Sequence, residues 1–411
     1  MTASSNSPSA LRTAWLVVAL LWPVALLNYL DRQMLATMKT SMVGDLKDIT
    51  SDAQWGFILA SFKWVYAVLS PVGGYIADRF SRRHVIAVSL FTWSAVTWLT
   101  GHVTTYHELV GTRALMGISE AFYIPAALAL IADFHPGPTR SRAVGLHQTG
   151  IYIGLILGGF AGHVADSPNH GWRWAFSAAG LVGVVYAFPL FWLLRNPERP
   201  ADSAAASLTP ARAAGELFGN RNYLLLVAYF TLPAIAGWVI KDWMPVILKE
   251  QFKLSQGEAG VIAVLYVQIA TIGGALLGGW LADVWMRRSE RGRIYVSAIG
   301  MTLFLPALFG LGNPGTVFLA IVFLILFGIG WGFFDCNNMP ILSQIVRPEL
   351  RATGYGIMNL VSISCGGFGD WGFGVLKSQN VPLTLIFGCF TGVALLSLVI
   401  VLLIKPQQGK P

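Results

Sequence analysis

The chain has 411 residues, of which 55% are hydrophobic and only 12% are charged. Soluble domains usually carry about a quarter charged residues, so this composition indicates an integral membrane protein and excludes a soluble domain. The formal net charge of +8 does not imply a nucleic-acid partner, because the excess lies in short loops expected to face the anionic inner leaflet. We therefore expect a lipid bilayer around the chain and no nucleic acid.

Twelve continuous apolar runs, each long enough to cross a bilayer as a helix, follow one another along the chain. They predict an all-α integral membrane protein with twelve transmembrane helices, since a barrel would need alternating runs of about ten residues. The predicted spans cover residues 14 to 38, 53 to 77, 84 to 103, 108 to 132, 143 to 165, 172 to 194, 223 to 248, 257 to 285, 294 to 312, 314 to 342, 353 to 376 and 382 to 404.

Positive charge is distributed unevenly between the predicted loops. With the N-terminus placed in the cytoplasm, eighteen of the 28 lysines and arginines fall on the inside, six fall outside and four lie within spans. This predicts a multi-pass plasma membrane protein, in the inner membrane of a bacterium, with both termini cytoplasmic. The first apolar run is expected to remain as an anchor, because no small-residue cleavage site follows it closely.

The longest polar interval lies at residues 196 to 222, between the sixth and seventh spans. It predicts a cytoplasmic linker that joins a six-helix bundle over residues 1 to 195 to a second one over residues 223 to 411. The two bundles repeat each other in sequence. GYIAD at residues 74 to 78 is followed by two arginines, and it recurs as GWLAD at residues 279 to 283, again before two arginines.

Two further matches extend this repeat. The fourth span has a glycine, an acid and a proline at spacings of three and five, and the tenth span has the same spacings. These residues are Gly117, Glu120 and Pro125, and Gly332, Asp335 and Pro340. An arginine and alanine pair also recurs, as Arg142-Ala143 and Arg351-Ala352. Internal repeats of this kind are typical of transporters, which move a substrate by alternating access at a midplane site.

Ionisable side chains inside the apolar spans of the first bundle are the most informative feature. Charge at that depth is costly, so it indicates a functional site, with an ion pair that only joins helices as the alternative. The set consists of Asp31, Arg32, Lys63, Arg113 and Glu120. Three positive charges against two negative ones favour an anion, and protonation of the carboxylates increases the excess. The set therefore predicts anion binding that is coupled to protons.

The second bundle carries acids and amides instead. Asp335 and Asp370 lie well inside spans and are candidate secondary acidic sites. Amides suit hydroxyl recognition, because each side chain offers donors and an acceptor together. Hydrogen bonding between helices is the alternative role. The candidate substrate-binding amides are Asn337, Asn338 and Asn359.

The segment GGYIADRFSRRH, which begins at residue 73, resembles the signature loop of the major facilitator superfamily, and GWLAD repeats it after the eighth span. The resemblance covers the whole chain and implies two pseudo-symmetric six-helix bundles. It also implies a cytoplasmic latch that breaks when the halves rock, with charges that only set topology as the alternative. The gating residues so implied are Asp78, Arg82, Arg83 and Asp283. Ser81 stands where the family usually has glycine.

NYLDR at residues 28 to 32 and RALMGISEAFYIPAA at residues 113 to 127 resemble the anion:cation symporter family. That family lies within the superfamily and includes bacterial sugar-acid transporters. The resemblance implies proton-coupling carboxylates on the first and fourth helices, an arginine clamp for the substrate carboxylate and a substrate-contacting tyrosine on the second helix. These residues are Asp31 and Glu120, Arg32 and Arg113, and Tyr66. Lys63, which we include among the substrate-binding candidates, departs from the pattern of that family.

We therefore expect a secondary active transporter that imports an organic anion, a sugar acid such as an aldonate or uronate, in symport with protons. The proton is the coupling ion, and we expect no other cofactor, no metal and a monomer. Similar residues occur in spinster-type lipid carriers and sugar-phosphate permeases, so a lysolipid exporter and a sugar-phosphate or other anion antiporter are the alternatives. An enzyme is not expected, because no Ser/His or Cys/His constellation is readable.

Overall fold

The structure, a computed structural model, describes residues 8 to 135, 139 to 196, 210 to 347 and 350 to 406. Within those ranges the regular elements are α-helices, fifteen in number. They are α1 (Pro8–Thr37), α2 (Lys39–Asp45), α3 (Asp52–Arg79), α4 (Arg82–Thr100), α5 (Tyr106–Glu120), α6 (Tyr123–Phe134), α7 (Arg140–Asp166), α8 (Gly171–Leu193), α9 (Pro210–Gly219), α10 (Arg221–Phe252), α11 (Gln256–Met286), α12 (Gly292–Leu311), α13 (Val317–Ile345), α14 (Arg351–Ser378) and α15 (Leu383–Leu403).

The all-α membrane fold predicted from the sequence is confirmed, and each predicted span overlaps this set of helices. Ten helical stretches of the described chain are long and apolar enough to cross a membrane. Helices α4 and α14 are less apolar than these, so the count of twelve spans stays a prediction. The fourth predicted span is broken into α5 and α6, and the predicted linker contains the short helix α9.

The chain forms two compact units. Unit 1 comprises Met1–Thr50, Ser61–Ser203 and Ser255–Gly260, and unit 2 comprises Ser51–Ala60, Ala204–Leu254 and Val261–Pro411. All of the ionisable side chains that the sequence places inside the first bundle belong to unit 1, and the candidate amides belong to unit 2.

In unit 1, three glycines on one face of α7 allow α1 to approach closely. Gly150, Gly154 and Gly158 are spaced by four residues, which places them on one side of the helix. A Cβ atom at Gly150 would lie only 2.7 Å from the carbonyl oxygen of Trp22 on α1. The hydroxyl of Thr37 donates to the carbonyl oxygen of Gly158 at 2.8 Å. This contact fixes α1, the helix that carries NYLDR, against α7.

Two tyrosine hydroxyls bind carbonyl oxygens of α1 close to Pro23. Pro23 itself has no N–H, so the carbonyl oxygen that loses its helical partner is that of Ala19, four residues before it. The carbonyl oxygen of Leu20 accepts a hydrogen bond from Tyr186 at 2.8 Å, and that of Leu21 accepts one from Tyr123 at 3.1 Å. These bonds hold α1 to α8 and α6 about two helical turns before the charged segment.

The glycine repeat between the fourth and tenth spans is also a structural repeat. Gly117 on α5 and Gly332 on α13 each lie against the backbone of another helix, at the carbonyl of one residue and the amide of the residue four positions later. The contacted residues are Phe62 and Tyr66 for Gly117, and Thr271 and Ala275 for Gly332. The aromatic pair of unit 1 is thus replaced by small residues in unit 2. The two units offer different chemistry at equivalent contacts.

The arginine repeat involves a different residue from the one that the sequence match suggests. Arg351 donates to the carbonyl oxygens five and eight residues before it, at 3.2 and 2.9 Å. Arg140 makes the same two bonds, at 3.2 and 3.5 Å. Both arginines therefore bind the end of the preceding helix, and Arg140, rather than Arg142, is the structural counterpart of Arg351.

Unit 2 contains a cluster of aromatic rings around Phe334 on α13. The ring of Phe334 lies 5.3 Å from Tyr229, 5.9 Å from Phe230, 5.3 Å from Trp331 and 6.5 Å from Phe304, measured between ring centroids. Aromatic pairs at these separations stabilise a fold by more than the burial of their apolar surface alone. The cluster holds one face of α13 inside unit 2. Asn338 follows Phe334 by one helical turn and therefore shares that face.

Candidate functional site

A buried ion pair between α1 and α5 forms the centre of the site in unit 1. The Nε atom of Arg32 lies 2.6 Å from the Oε2 atom of Glu120. The Arg32 side chain is 9% exposed and the Glu120 side chain is 0% exposed. Arg32 is thus paired with the acid of α5 rather than with its sequence neighbour Asp31. Removing either partner would leave a buried charge without compensation, which costs about 3–5 kcal/mol in proteins.

Three aromatic rings surround the guanidinium of Arg32, and we call them the aromatic cage. The Arg32 Cζ atom lies 4.8 Å from the ring centroid of Tyr29, 4.7 Å from that of Phe62 and 4.8 Å from that of Tyr66. Cations at this distance are attracted by the ring faces. Tyr66 was predicted from the sequence, whereas Tyr29 and Phe62 were not. Their spacings of three from Arg32 and four from Tyr66 could have identified them.

Arg113 is held beside the same cage. Its Cζ atom lies 4.8 Å from the Phe62 ring, and its Nη1 atom lies 2.8 Å from the sulfur of Met116. One ring therefore contacts both arginines. Gly117 explains how this is possible, because its lack of a side chain lets the backbone of Phe62 reach α5. Lys63, the third cation, is only 3% exposed.

Asp31 occupies a different environment from Arg32. It is 2% exposed, and its Oδ2 atom lies 2.9 Å from the hydroxyl oxygen of Thr97 on α4. Its Oδ1 atom has no hydrogen-bond partner among the described residues. Asp31 interacts electrostatically with Glu120 and Arg113 on α5 and with Arg32 on its own helix. The two carboxylates thus lie near each other and have different direct partners.

The polar candidates of unit 2 differ in their bonding. The side-chain nitrogen of Asn337 donates to the carbonyl oxygen of Phe333 at 3.0 Å. Asn338 is 1% exposed, and neither of its side-chain polar atoms meets a hydrogen-bond partner in the described part of the chain. Asn359 is half-buried, Asp335 is exposed and Asp370 is fully buried.

The predicted gating residues are only partly described. Arg82 donates to the carbonyl oxygen of Ala129 at 2.8 Å and forms an ion pair with Asp133, an acid that sequence reasoning missed. The signal was available, because Asp133 directly follows the predicted span that carries Glu120, which ends at residue 132. The backbone N–H of Arg83 donates to the side-chain oxygen of Asn196 at 3.1 Å. Asp283 is exposed, and the Asp78 side chain lies outside the described residues.

An all-helical membrane fold with buried cations and carboxylates at one site is typical of membrane transporters. Such a site contains the chemical groups that attract anions and the carboxylates that can accept protons. The chain belongs to the Major Facilitator Superfamily, whose family model matches residues 21–369. It is accordingly a transporter and not an enzyme.

Three relatives illustrate the range of proteins to which the chain is similar. It is 28% identical to protein spinster of Drosophila melanogaster over 382 residues, which is 89% of this chain and 62% of that protein's length. It is 25% identical to a D-galactonate transporter of Escherichia coli, over 69% of this chain and 70% of the relative. It is 30% identical to an MFS-type efflux pump of Mycolicibacterium smegmatis, over 90% of this chain and 85% of the relative.

A solved structure supports the fold. The crystal structure of a bacterial homolog to the human lysosomal transporter spinster, in an inward-facing and unoccupied conformation, matches with a TM-score of 0.77. The two chains are 19% identical, and the match covers 95% of each. The resemblance named from the sequence, to the major facilitator superfamily with sugar-acid transporters and spinster proteins as relatives, is confirmed.

Proposed function

We propose that the chain is a symporter that carries an organic anion, a sugar acid such as an aldonate or uronate, together with protons. The observation that supports this most strongly is the buried pair of Arg32 and Glu120 with Asp31 beside it. An ion pair enclosed at membrane depth needs a reason beyond stability, because a buried pair often contributes little to it. Similarity to a D-galactonate transporter supports the choice of substrate class.

The mechanism follows from an exchange of partners at Arg32. When Glu120 is ionised, its carboxylate occupies the guanidinium of Arg32 at 2.6 Å. When Glu120 takes up a proton, it loses its charge, and the carboxylate of the substrate can replace it. Arg113 and Lys63 add positive charge to the same unit, and both are buried. By reciprocity, a bound substrate carboxylate must increase the affinity of the site for the proton.

This exchange limits the unpaired charge that crosses the membrane. An elementary charge that crosses the membrane changes its energy by about 2.3 kcal/mol per 100 mV. Substrate and proton together are the species whose charge the site can match. The site would then open to one side of the membrane at a time, as in other secondary transporters.

We assign recognition of substrate hydroxyls to Asn338 rather than to Asn337. The amide nitrogen of Asn337 is already bonded within its own helix, at Phe333. The polar atoms of Asn338 have no hydrogen-bond partner within the described ranges, although the side chain is buried. Leaving a buried amide without partners is costly. A substrate hydroxyl would satisfy it. Asn359, which is half-buried, and the acids Asp335 and Asp370 stay secondary candidates.

The cytoplasmic latch is proposed in a revised form. Arg82 joins the start of α4 to α6 through Asp133 and the carbonyl oxygen of Ala129. We propose that this contact forms and breaks during transport, with Arg83 and Asp78 as further gating residues of unit 1 and Asp283 as the candidate gating residue of unit 2. We also propose that the chain works as a monomer in the bacterial inner membrane, with both termini in the cytoplasm, the proton as its coupling ion and no cofactor.

Uptake into proteoliposomes tests the substrate class. Purified protein would be screened by thermal shift against aldonates, uronates, monocarboxylates and sugar phosphates, and radiolabelled D-galactonate would then be measured for uptake. We expect stabilisation by sugar acids and saturable uptake of at least one of them. Stabilisation by sugar phosphates alone, with exchange that requires phosphate on the opposite side, would instead identify an anion antiporter.

A lysolipid exporter is the second candidate, and the similarity to spinster over 89% of this chain favours it. The aromatic cage is compatible with an amphipathic anion as well as with a sugar acid. Labelled lysophospholipid in the inner leaflet of the same proteoliposomes distinguishes the two. Protein-dependent appearance of the label in the outer leaflet, together with no uptake of any sugar acid, would replace the proposed function with lysolipid export.

A further inference from the structure

Thr97 on α4 contacts a candidate proton site and was not selected by sequence reasoning. Its hydroxyl oxygen lies 2.9 Å from the Oδ2 atom of Asp31 and 3.0 Å from the carbonyl oxygen of Trp93. Thr97 is 0% exposed and Asp31 is 2% exposed. The hydroxyl is thus a buried bridge between a carboxylate on α1 and the backbone of α4.

The chemistry of a hydroxyl gives this bridge two arrangements. A threonine hydroxyl has one hydrogen to donate and two lone pairs to accept with. When Asp31 is ionised, the Thr97 hydrogen points to Asp31 Oδ2. When Oδ2 carries a proton, Asp31 donates to the Thr97 oxygen, and the Thr97 hydrogen turns to the carbonyl oxygen of Trp93. Both protonation states are bonded, and only one O–H group has rotated.

We propose that Thr97 is a positioning residue for proton coupling, whose hydroxyl rotates between Asp31 and the Trp93 carbonyl as Asp31 gains or loses its proton. This proposal rests on the proposed function, because it requires proton-coupled transport in which Asp31, the second candidate proton-coupling carboxylate, takes up and releases a proton. It goes beyond that function by naming the group that lets Asp31 change its charge while buried.

Three charged side chains also affect whether Asp31 is ionised. Arg32 on the same helix and Arg113 on α5 favour the ionised carboxylate, whereas Glu120 on α5 opposes it. These charges are unchanged when Thr97 is replaced. A hydrogen bond to an ionised group is about twice as strong as one between neutral groups. The Trp93 carbonyl lies four residues before Thr97 inside α4, so it keeps its backbone partner when the hydroxyl is lost. Loss of the hydroxyl should therefore disfavour the ionised state more than the protonated one.

A neighbouring threonine provides a matched control. The hydroxyl of Thr100 donates to the carbonyl oxygen of Val96 at 2.9 Å, four residues before it, and Thr100 is 0% exposed. Its backbone bond is the same as that of Thr97 to Trp93, and it lies on the same helix. Thr100→Val therefore reproduces the structural part of the Thr97→Val change.

The test is an infrared pH titration of purified protein in lipid, which needs no substrate. The carboxylic acid band of Asp31 is the band that Asp31→Asn removes. We expect Thr97→Val to move the midpoint of that band upward by about one pH unit. Thr97→Ser should restore the wild-type midpoint, and Thr100→Val should leave it unchanged. All variants are compared by monodispersity and melting temperature.

The outcomes separate the two claims. If Asp31→Asn removes no titrating band, Asp31 is not a proton site, and that part of the proposed function fails together with this proposal. If the band exists but Thr97→Val and Thr100→Val titrate like the wild type, the proposal for Thr97 is wrong and the proton role of Asp31 survives. Equal shifts in both valine variants would also overturn it, since the effect would then be structural.

Discussion

Arg32 has an acid and three aromatic rings as partners, and the two kinds of contact have different consequences. Glu120 can lose its charge by taking up a proton, so it is an exchangeable partner. The ring faces of Tyr29, Phe62 and Tyr66 attract the guanidinium whether or not Glu120 carries a proton. In the proposed exchange, the aromatic cage would therefore hold Arg32 in place for the incoming anion.

Phe62 should contribute to affinity without carrying charge, because its ring contacts both Arg32 and Arg113. At about 0.5–2 kcal/mol for a cation over a ring, Phe62→Ala should weaken substrate binding by roughly two- to thirty-fold. Phe62→Tyr should bind nearly as well as the wild type. Isothermal titration with the best anion from the screen measures this. Exposed Phe188→Ala is the control, and equal affinity of Phe62→Ala and wild type would reject the role.

Arg113→Ala should weaken anion binding by several-fold or more, because it removes a buried cation from the site. Arg113→Lys keeps the charge but loses the planar guanidinium, so its affinity for the anion should lie between those of the wild type and Arg113→Ala. The same titration measures both variants. Wild-type affinity in Arg113→Ala would show that Arg113 is not part of the clamp.

At the scale of helices, Gly117 links packing to the site. Since the backbone of Phe62 lies against it, a methyl group at Gly117 must push α3 away from α5. Overpacking of this kind costs about 1–3 kcal/mol. Gly117→Ala should lower both the melting temperature and the anion affinity. Gly111→Ala lies on the same helix with no atom within 4 Å of the added carbon, and it should change neither. Equal affinity in the two variants would contradict this account of α5.

The sequence predicted helices better than contacts. Long apolar runs determine where helices can lie, so every predicted span overlaps a helix of the structure. The break between α5 and α6 was missed because no proline or glycine occurs at residues 121 and 122. The pairing of Arg32 with Glu120 rather than Asp31 depends on which faces of α1 and α5 meet. That information comes from packing at Gly117 and along α7, and it cannot be obtained from spacing within one helix.

Polar partners were the least predictable part of the site. Thr97 and Asp133 each contact a predicted residue, at Asp31 and Arg82 respectively. Many buried threonines in membrane helices only bond to the backbone of their own helix, as Thr100 does to Val96. The sequence alone does not show that Thr97 also contacts a carboxylate on another helix. The repeat between the two halves could be recognised from the sequence. Its exact alignment, with Arg140 equivalent to Arg351, could be found only once the ends of the helices were known.

For the whole molecule, the distribution of positive charge predicts the orientation in the membrane. Reporter fusions test it, with alkaline phosphatase and green fluorescent protein joined in turn after Lys405 and in the loop near Lys377. We expect fluorescence only after Lys405 and phosphatase activity only near Lys377. The reverse pattern would mean that the termini lie outside.

Proton coupling through Glu120 is the central claim, and accumulation in proteoliposomes tests it most directly. A pH gradient with the outside more acidic than the inside is imposed at zero membrane potential. Uptake of a labelled sugar acid is then followed in the wild type and in Glu120→Gln. The wild type should accumulate the anion above its external concentration and lose it when a protonophore is added. Glu120→Gln should still exchange labelled for unlabelled anion but should not accumulate it. Wild-type uptake that ignores the gradient, or normal accumulation by Glu120→Gln, would contradict the account.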